Sequence, residues 1–343
     1  MIKILLADDS PLTRTILKEL LLRDPQIAVV GEVTDGRQAV DETRRLKPDL
    51  VIMDVIMPVM DGLDAVREIM ADCPTPILML SASVDRTSSC NAFQAIELGA
   101  LDVMEKPKGI GSQAFEEIAG KLLEKVKSLS RVRVIHHFRR GKKSAVKKSS
   151  AKSVACTDRR LLAIGASTGG PKAIMHVLQN LPRRPIPIVI VQHIANGFAE
   201  GFADWLDREC SWTVRVAVDG DRLAAGVVLI APCGRHMEVR NGRICLTDDP
   251  PVNSCRPSAD ILFRSLARSG VGSQIAATLL TGMGTDGAAG LLELKTAGAC
   301  SLVQDEESCA VFGMPRAAIA LGAADMVLPL DDVPVMLKQI LAD

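Results

Sequence analysis

Two groups of polar residues stand directly behind apolar runs, and they could do different chemistry. In the first group Asp8 and Asp9 follow IKILLA, Asp54 closes LVIMD, Ser81 closes ILMLS, and Lys106, followed by Pro107, ends the weaker run ALDVMEK. Carboxylates gathered in one place repel unless a cation neutralises them. Mg²⁺ suits such a set, because it binds through one or two carboxylates, keeps waters and meets phosphate oxygens. A lysine and a hydroxyl beside the ion can hold phosphoryl oxygens and stabilise charge during transfer.

The second group begins with LLAIGASTGGPKAI, an apolar run followed by Gly165, Ser167, Gly169 and Gly170, with Pro171 opening a helix. A GxSxG turn between strand and helix exposes a serine hydroxyl and aims helix N-terminal amides at a developing oxyanion. Serine is a weak nucleophile and needs a base within hydrogen-bond reach. The histidines are 136, 137, 176, 193 and 236. His193 ends PIVIVQH and is the best placed, with His236 in APCGRHMEV the runner-up. Asp286, in the glycine-rich LLTGMGTDGAAG, is the candidate to orient the base. With His193 as base, activity should decline below about pH 6.5, the ordinary histidine value. A dinucleotide fold would want an acid about 20 residues on; RRPIPIVIVQH has none, which counts against NAD.

The elements that must position these residues are strands buried on both faces. IKILLA, IAVVGEV, LVIMDV, PILMLSA and ALDVMEK alternate with helix-length segments over residues 1–120. LLAIGA, PIVIVQH, GVVLIAP, RICLTD, IAATLLTG and CSLVQD do so again from 159 to 343. Repeated βα units predict two α/β domains with doubly wound parallel sheets, and ligands in such sheets bind outside the carboxyl ends of the strands. Between them, 121–158 reads as a basic linker whose first part, GKLLEKVKSL, is helical.

Net charge is zero only by cancellation. Residues 1–120 hold 12 basic against 20 acidic side chains, 121–160 hold 14 against 2, and 161–343 hold 15 against 19. The excess of positive charge lies on the linker rather than on a short, helical, basic reading module, so a transcriptional regulator with a DNA-binding output is disfavoured and no nucleic-acid partner is expected. No apolar run approaches the roughly 18 residues of a membrane span. Nine cysteines, an odd number without a CxxC pair, read as reduced thiols in a cytoplasm. There is no tyrosine, which excludes phenol chemistry.

LLADDSPLTR, VIMDVIMPVMDGLDAV, LMLSAS and EKP resemble the signatures of response-regulator receiver domains over residues 1 to about 120. The resemblance implies a flavodoxin-like sheet of order 2-1-3-4-5. It also implies Asp54 as phospho-acceptor, Asp8, Asp9 and Asp54 on Mg²⁺, and Ser81 with Lys106 sensing the phosphate. Many receivers carry an aromatic residue three positions before that lysine; here it is Val103. The segments IGASTGGP, VQHI, GVVLIAPCGRHM, RPSADILFRSLA, LLTGMGTDGAAGL and QDEESCAVFGMPRAAI resemble the catalytic domain of chemotaxis protein-glutamate methylesterases, the CheB family.

That resemblance implies a Rossmann-like serine hydrolase with Ser167 as nucleophile, His193 as base and Asp286 as third member. Main-chain donors near Thr168 and Met283 would receive the oxyanion. It further implies a cytoplasmic monomer, activated by phosphorylation, that removes methyl groups from glutamate γ-methyl esters of chemoreceptors and deamidates receptor glutamines. A chemotaxis histidine kinase would be the phosphodonor, no cofactor would be needed for the esterase reaction, and no membrane insertion is expected. The unphosphorylated receiver would cover the catalytic face. A phosphorylation-gated scaffold without catalysis is the remaining rival, disfavoured by the intact Ser167, His193 and Asp286.

Overall fold

A computed structural model describes residues 1–81, 86–107, 112–132, 134 and 159–342. Most of the linker, with His136 and His137, lies outside the described residues. The chain divides into two compact units, Met1–Gly141 and Lys142–Asp343.

In the first unit the strands β1 (Ile2–Ala7), β2 (Ile27–Val33), β3 (Leu50–Asp54), β4 (Ile77–Ser81) and β5 (Asp102–Glu105) alternate with α1 (Pro11–Leu21), α2 (Gly36–Leu46), α3 (Gly62–Asp72), α4 (Arg86–Leu98) and α5 (Gln113–Leu129). The sheet is parallel with order β2-β1-β3-β4-β5. All of β3 and β4 is buried, as strands covered by helices on both faces require. Helix α5 contains the GKLLEKVKSL segment and ends at Leu129. Four helices start on dedicated caps: Ser10 accepts from the Thr13 amide, Asp35 from Gln38, Asp61 from Asp64 and Ser112 from Phe115. The strand-end acids are therefore not consumed as helix caps. Gly62 lies so close behind β3 that a Cβ would stand 2.2 Å from the Asp54 carbonyl oxygen.

The second unit contains β6 (Leu161–Ala166), α6 (Gly170–Asn180), β7 (Ile188–Gln192), α7 (Ala199–Glu209), β8 (Thr213–Val216), β9 (Val227–Ile230), β10 (His236–Arg240), β11 (Arg243–Thr247) and α8 (Ala259–Ala267). It continues with β12 (Ile275–Leu279), α9 (Ala288–Thr296), β13 (Cys300–Gln304), α10 (Met314–Ala320), β14 (Met326–Leu328) and α11 (Asp332–Ile340). Seven strands form one parallel sheet, β14-β13-β12-β6-β7-β9-β8.

RICLTD departs from expectation. It forms β11, which pairs antiparallel with β10 in a separate hairpin outside the main sheet. The reason lies in the turn: Asn241 and Gly242 both take positive φ, 50° and 71°, the conformation that Asn-Gly supplies in two-residue hairpins. Only one face of β11 is well covered, as in a half-solvated ribbon. Among the described residues no helix is long and apolar enough to cross a membrane.

Candidate functional site

In each sheet the chain winds outward from its first strand in both directions, so a crevice opens at the carboxyl end beside that strand. In the first unit the crevice lies between β1 and β3. Ligand atoms of Asp8, Asp9 and Asp54 all fall within 4.8 Å of one another there. Lys106, brought in by β5, places Nζ 2.6 Å from Asp8 Oδ2 and 2.6 Å from Asp54 Oδ2. Its bond to Asp54 is a well-directed hydrogen bond, whereas Asp8 Oδ2, although paired in charge, receives no hydrogen bond. Asp8 and Asp54 are buried and Asp9 is exposed.

Burial pushes the Asp54 carboxyl up, and Lys106 pulls against it without cancelling the effect. Burial also weighs against the Lys106 charge, but Asp54 and Asp8 more than restore it. One ammonium thus faces three clustered carboxylates, and a buried carboxylate oxygen lacks a donor. Those features fit a hard divalent cation. Ser81 is buried at the end of β4, and its carbonyl accepts from the Lys106 amide at 3.0 Å. Val103 is buried within β5.

In the second unit the crevice lies beside β6, flanked by β7 and β12. Ser167 directly follows β6. Its amide donates to the Thr281 carbonyl at 3.0 Å, and its carbonyl accepts from Gly170 at 2.8 Å. The turn relies on glycine: Gly169 has φ of 76°, and a Cβ on Gly170 would stand 2.0 Å from Gln192 Oε1. Gly282, in the loop after β12, packs so closely that a Cβ there would stand 2.8 Å from that of Ser167.

His193 follows β7, in register beside Ser167, with its amide on the Ala166 carbonyl at 3.0 Å. Gln192 Nε2 ties the two residues together, donating to the Ser167 carbonyl at 2.8 Å and to the His193 carbonyl at 2.9 Å.

Asp286 is buried and meets His193 Nε2 through Oδ2 at 2.8 Å. It also accepts from Ser258 Oγ at 2.6 Å, from the Ala259 amide at 2.7 Å, from the Asp260 amide at 3.3 Å and from Asn253 Nδ2 at 3.3 Å. The two amides open α8, so Asp286 caps a helix remote in sequence from its own loop. Burial raises its carboxyl, but His193 and these donors outweigh it, holding Asp286 below the usual carboxylate range.

Burial lowers His193, while Asp286 and Cys255 raise it further, leaving it up at about 9. The acid limb expected at pH 6.5 therefore moves upward, because the imidazolium has an anionic partner at one nitrogen and a thiol at the other. Cys255 Sγ lies 3.7 Å from His193 Nδ1.

The remaining histidines take other places. His236 is fully buried, contacting the Pro250 carbonyl through Nε2 at 3.1 Å and accepting from the Ser258 amide through Nδ1 at 3.2 Å, which fixes the α8 cap. His176, on α6, pairs with Asp331 at 3.2 Å. The structure thus brings Ser167, His193 and Asp286 to one sheet edge. Among the described residues, however, the Ser167 hydroxyl makes no hydrogen bond, and His193 Nδ1 faces Cys255. The amides of Thr168 and Met283 likewise find no acceptor among the described residues. Gln192, Asn253, Cys255 and Ser258 were not singled out from sequence. A polar residue closing an otherwise apolar strand could have marked Gln192; nothing local marks the other three.

The response regulator receiver domain family matches residues 4–113, and the CheB methylesterase family matches residues 162–337. A protein-glutamate methylesterase/protein-glutamine glutaminase 2 of Anaeromyxobacter dehalogenans is 44% identical over 99% of this chain and 97% of its own length. A protein-glutamate methylesterase/protein-glutamine glutaminase of Nitrosospira multiformis is 41% identical over 100% of this chain and 98% of its own. The crystal structure of the Thermotoga maritima CheB methylesterase catalytic domain covers 54% of this chain and all of that domain, with 37% identity and a TM-score of 0.51. On these matches, the chain belongs to the CheB methylesterase family and carries a response regulator receiver domain ahead of its methylesterase segment.

Proposed function

We propose that this protein hydrolyses glutamate γ-methyl esters on chemoreceptors, deamidates receptor glutamines by the same acyl chemistry, and is activated by phosphorylation of Asp54. The observation that carries the reading is the His193–Asp286 contact of 2.8 Å at the sheet edge beside Ser167. With Nε2–H held by Asp286, the His193 lone pair is on Nδ1. Nδ1 takes the Ser167 proton as Oγ attacks the ester carbonyl. The carbonyl oxygen becomes an oxyanion, and the Thr168 and Met283 amides, which find no acceptor among the described residues, would receive it. Nδ1–H then protonates the departing methoxide to methanol, leaving a glutamyl ester on Ser167. Water, deprotonated by Nδ1, attacks that ester, and the glutamate carboxylate departs as Ser167 recovers its proton. With glutamine as substrate, ammonia leaves in place of methanol. The reading requires Ser167 Oγ to close onto Nδ1 when substrate binds, as catalytic hydrogen bonds often do.

In the receiver, Asp54 would accept the phosphoryl group from a kinase, and Ser81 and Lys106 would bind its oxygens. Asp8, Asp9 and Asp54 would hold Mg²⁺, which supplies neutralising charge at that site.

Cys255 favours a second reading, because its thiol, His193 and Asp286 stand in line as thiol, imidazole and carboxylate. Against it, the Cys255 amide is committed to the Val252 carbonyl at 2.9 Å, whereas the Thr168 amide beside Ser167 finds no acceptor among the described residues. Methanol release from methylated receptor membranes, with and without phosphodonor and Mg²⁺, tests both. Ser167→Ala is expected to lower release by at least about 10⁴-fold while Asp54 still takes phosphate. Hydrolysis that survives in Ser167→Ala and disappears in Cys255→Ala would move the nucleophile to Cys255.

A further inference from the structure

The neighbourhood of Cys255 does more than crowd the base. Asp286 Oδ2 is 2.8 Å from His193 Nε2, which assigns the ring hydrogen to Nε2 and leaves an unshared pair on Nδ1. That pair points at Cys255 Sγ, 3.7 Å away. Tetrahedral Zn²⁺ binds nitrogen at about 2.0–2.1 Å and sulfur at about 2.3 Å, so two such donors on one ion stand about 3.6 Å apart. The observed separation matches. His193, Cys255 and Asp286 form one of two clusters among the described residues whose ligand atoms all lie within 4.8 Å of one another. The other is the hard, all-oxygen set of the receiver, whereas this one offers nitrogen, sulfur and oxygen, a donor set for a softer ion.

We propose that Cys255 Sγ and His193 Nδ1 form an inhibitory Zn²⁺ site in the catalytic unit. Asp286 serves it as the carboxylate that orients a metal-bound imidazole through its far nitrogen. On binding, Cys255 releases its thiol proton to solvent, His193 where it is protonated releases the Nδ1 proton as well, a Zn–S bond and a Zn–N bond form, and water fills the remaining positions. Two protein donors and an open face make this a labile site rather than a structural one. The Nδ1 pair that would bind the ion is the pair that takes the Ser167 proton, so occupancy and catalysis exclude each other. The inhibition rests on the reading of His193 as the base; the metal site itself does not.

The full chain, stripped of metal, is titrated with Co²⁺ as a spectroscopic stand-in for Zn²⁺, and methanol release is followed separately against Zn²⁺. A thiolate-to-cobalt absorption band is expected in the unaltered protein and should disappear in Cys255→Ser and in Cys255→Ala. Zn²⁺ should slow hydrolysis, and each variant, measured against its own metal-free rate, should need at least about 10-fold more Zn²⁺ for the same inhibition. A cobalt band that persists in both variants, or Zn²⁺ inhibition as potent in both variants as in the unaltered protein, overturns the site. A band lost in the variants while Zn²⁺ leaves hydrolysis of the unaltered protein untouched upholds the site and overturns His193 as the base.

Discussion

The two units solve the same placement problem with opposite charge. Both are doubly wound, both open a crevice beside their first strand, and both furnish it from residues at strand ends or in the loops that follow them. In the first unit the crevice gathers three carboxylates against one lysine and leaves the Asp8 Oδ2 acceptor without a donor. In the second it holds one carboxylate, saturated by two side chains, two helix amides and an imidazole, and leaves the Thr168 and Met283 amides without an acceptor among the described residues. One site is short of positive charge, the other is short of an anion. Topology fixes where a doubly wound unit opens its crevice; the residues brought there decide which charge that crevice lacks.

The contrast is broken most forcefully at its extremes. Ser167→Ala should remove hydrolysis and spare phosphate uptake, while Asp54→Asn should remove phosphate uptake and spare basal hydrolysis. Loss of both functions in either variant would mean that the two crevices do not work as separate sites. Asp286→Asn should follow, with hydrolysis falling roughly 10³–10⁴-fold. The amide cannot accept from His193 and all the α8 donors together, so the Nδ1 pair is no longer fixed. Because the side chain also caps α8, amide exchange in α8 should quicken too. An Asn variant hydrolysing within a few-fold of the original would relegate Asp286 to a cap.

In the receiver the corresponding test removes the single cation. Lys106→Met leaves Asp8 and Asp54 buried without a cation, a loss of about 3–5 kcal/mol for a broken buried pair. Hydrogen exchange of the β1 and β3 amides reports it locally, since a two-unit chain has no single unfolding free energy. Protection there should drop, recover in part with Mg²⁺, and stay unchanged in β6 and β7. Unaltered protection in β1 would show that Lys106 does not hold the cluster together.

How far these sites were legible in sequence follows from how local their signals are. Ser167, His193, Asp54 and Asp8 each sit at the end of a short apolar run, and an open parallel sheet brings all such ends to one edge. Asp286 needed a looser inference, because six residues separate it from the end of β12. Its partners Ser258 and Asn253, and Cys255 on the other side of the imidazole, were invisible. They come from a segment that joins the site only through folding, across 62 residues for Cys255 and His193. RICLTD was misplaced because a short apolar run does not reveal its partner. Its Asn-Gly turn and its alternating exposure were the signals of a hairpin, and they sit outside the run itself.

The smallest effect is the most diagnostic of the second crevice. On the proposed mechanism, hydrolysis needs neutral His193. With the imidazole held up at about 9 by Asp286 and Cys255 against the cost of burial, activity should be lost as pH falls through about 9 rather than through 6.5. In basal hydrolysis measured with chelator present, so that protons alone compete for Nδ1, kcat/KM should still be rising between pH 7 and pH 9. Cys255→Ala removes one of the two partners that favour the imidazolium and leaves Asp286 in place. The limb should therefore move toward the ordinary histidine value, and the rate at pH 7 should increase severalfold. A wild-type limb already flat above pH 7 would mean that burial outweighs both partners. A limb that Cys255→Ala leaves in place would assign the whole upward pull to Asp286.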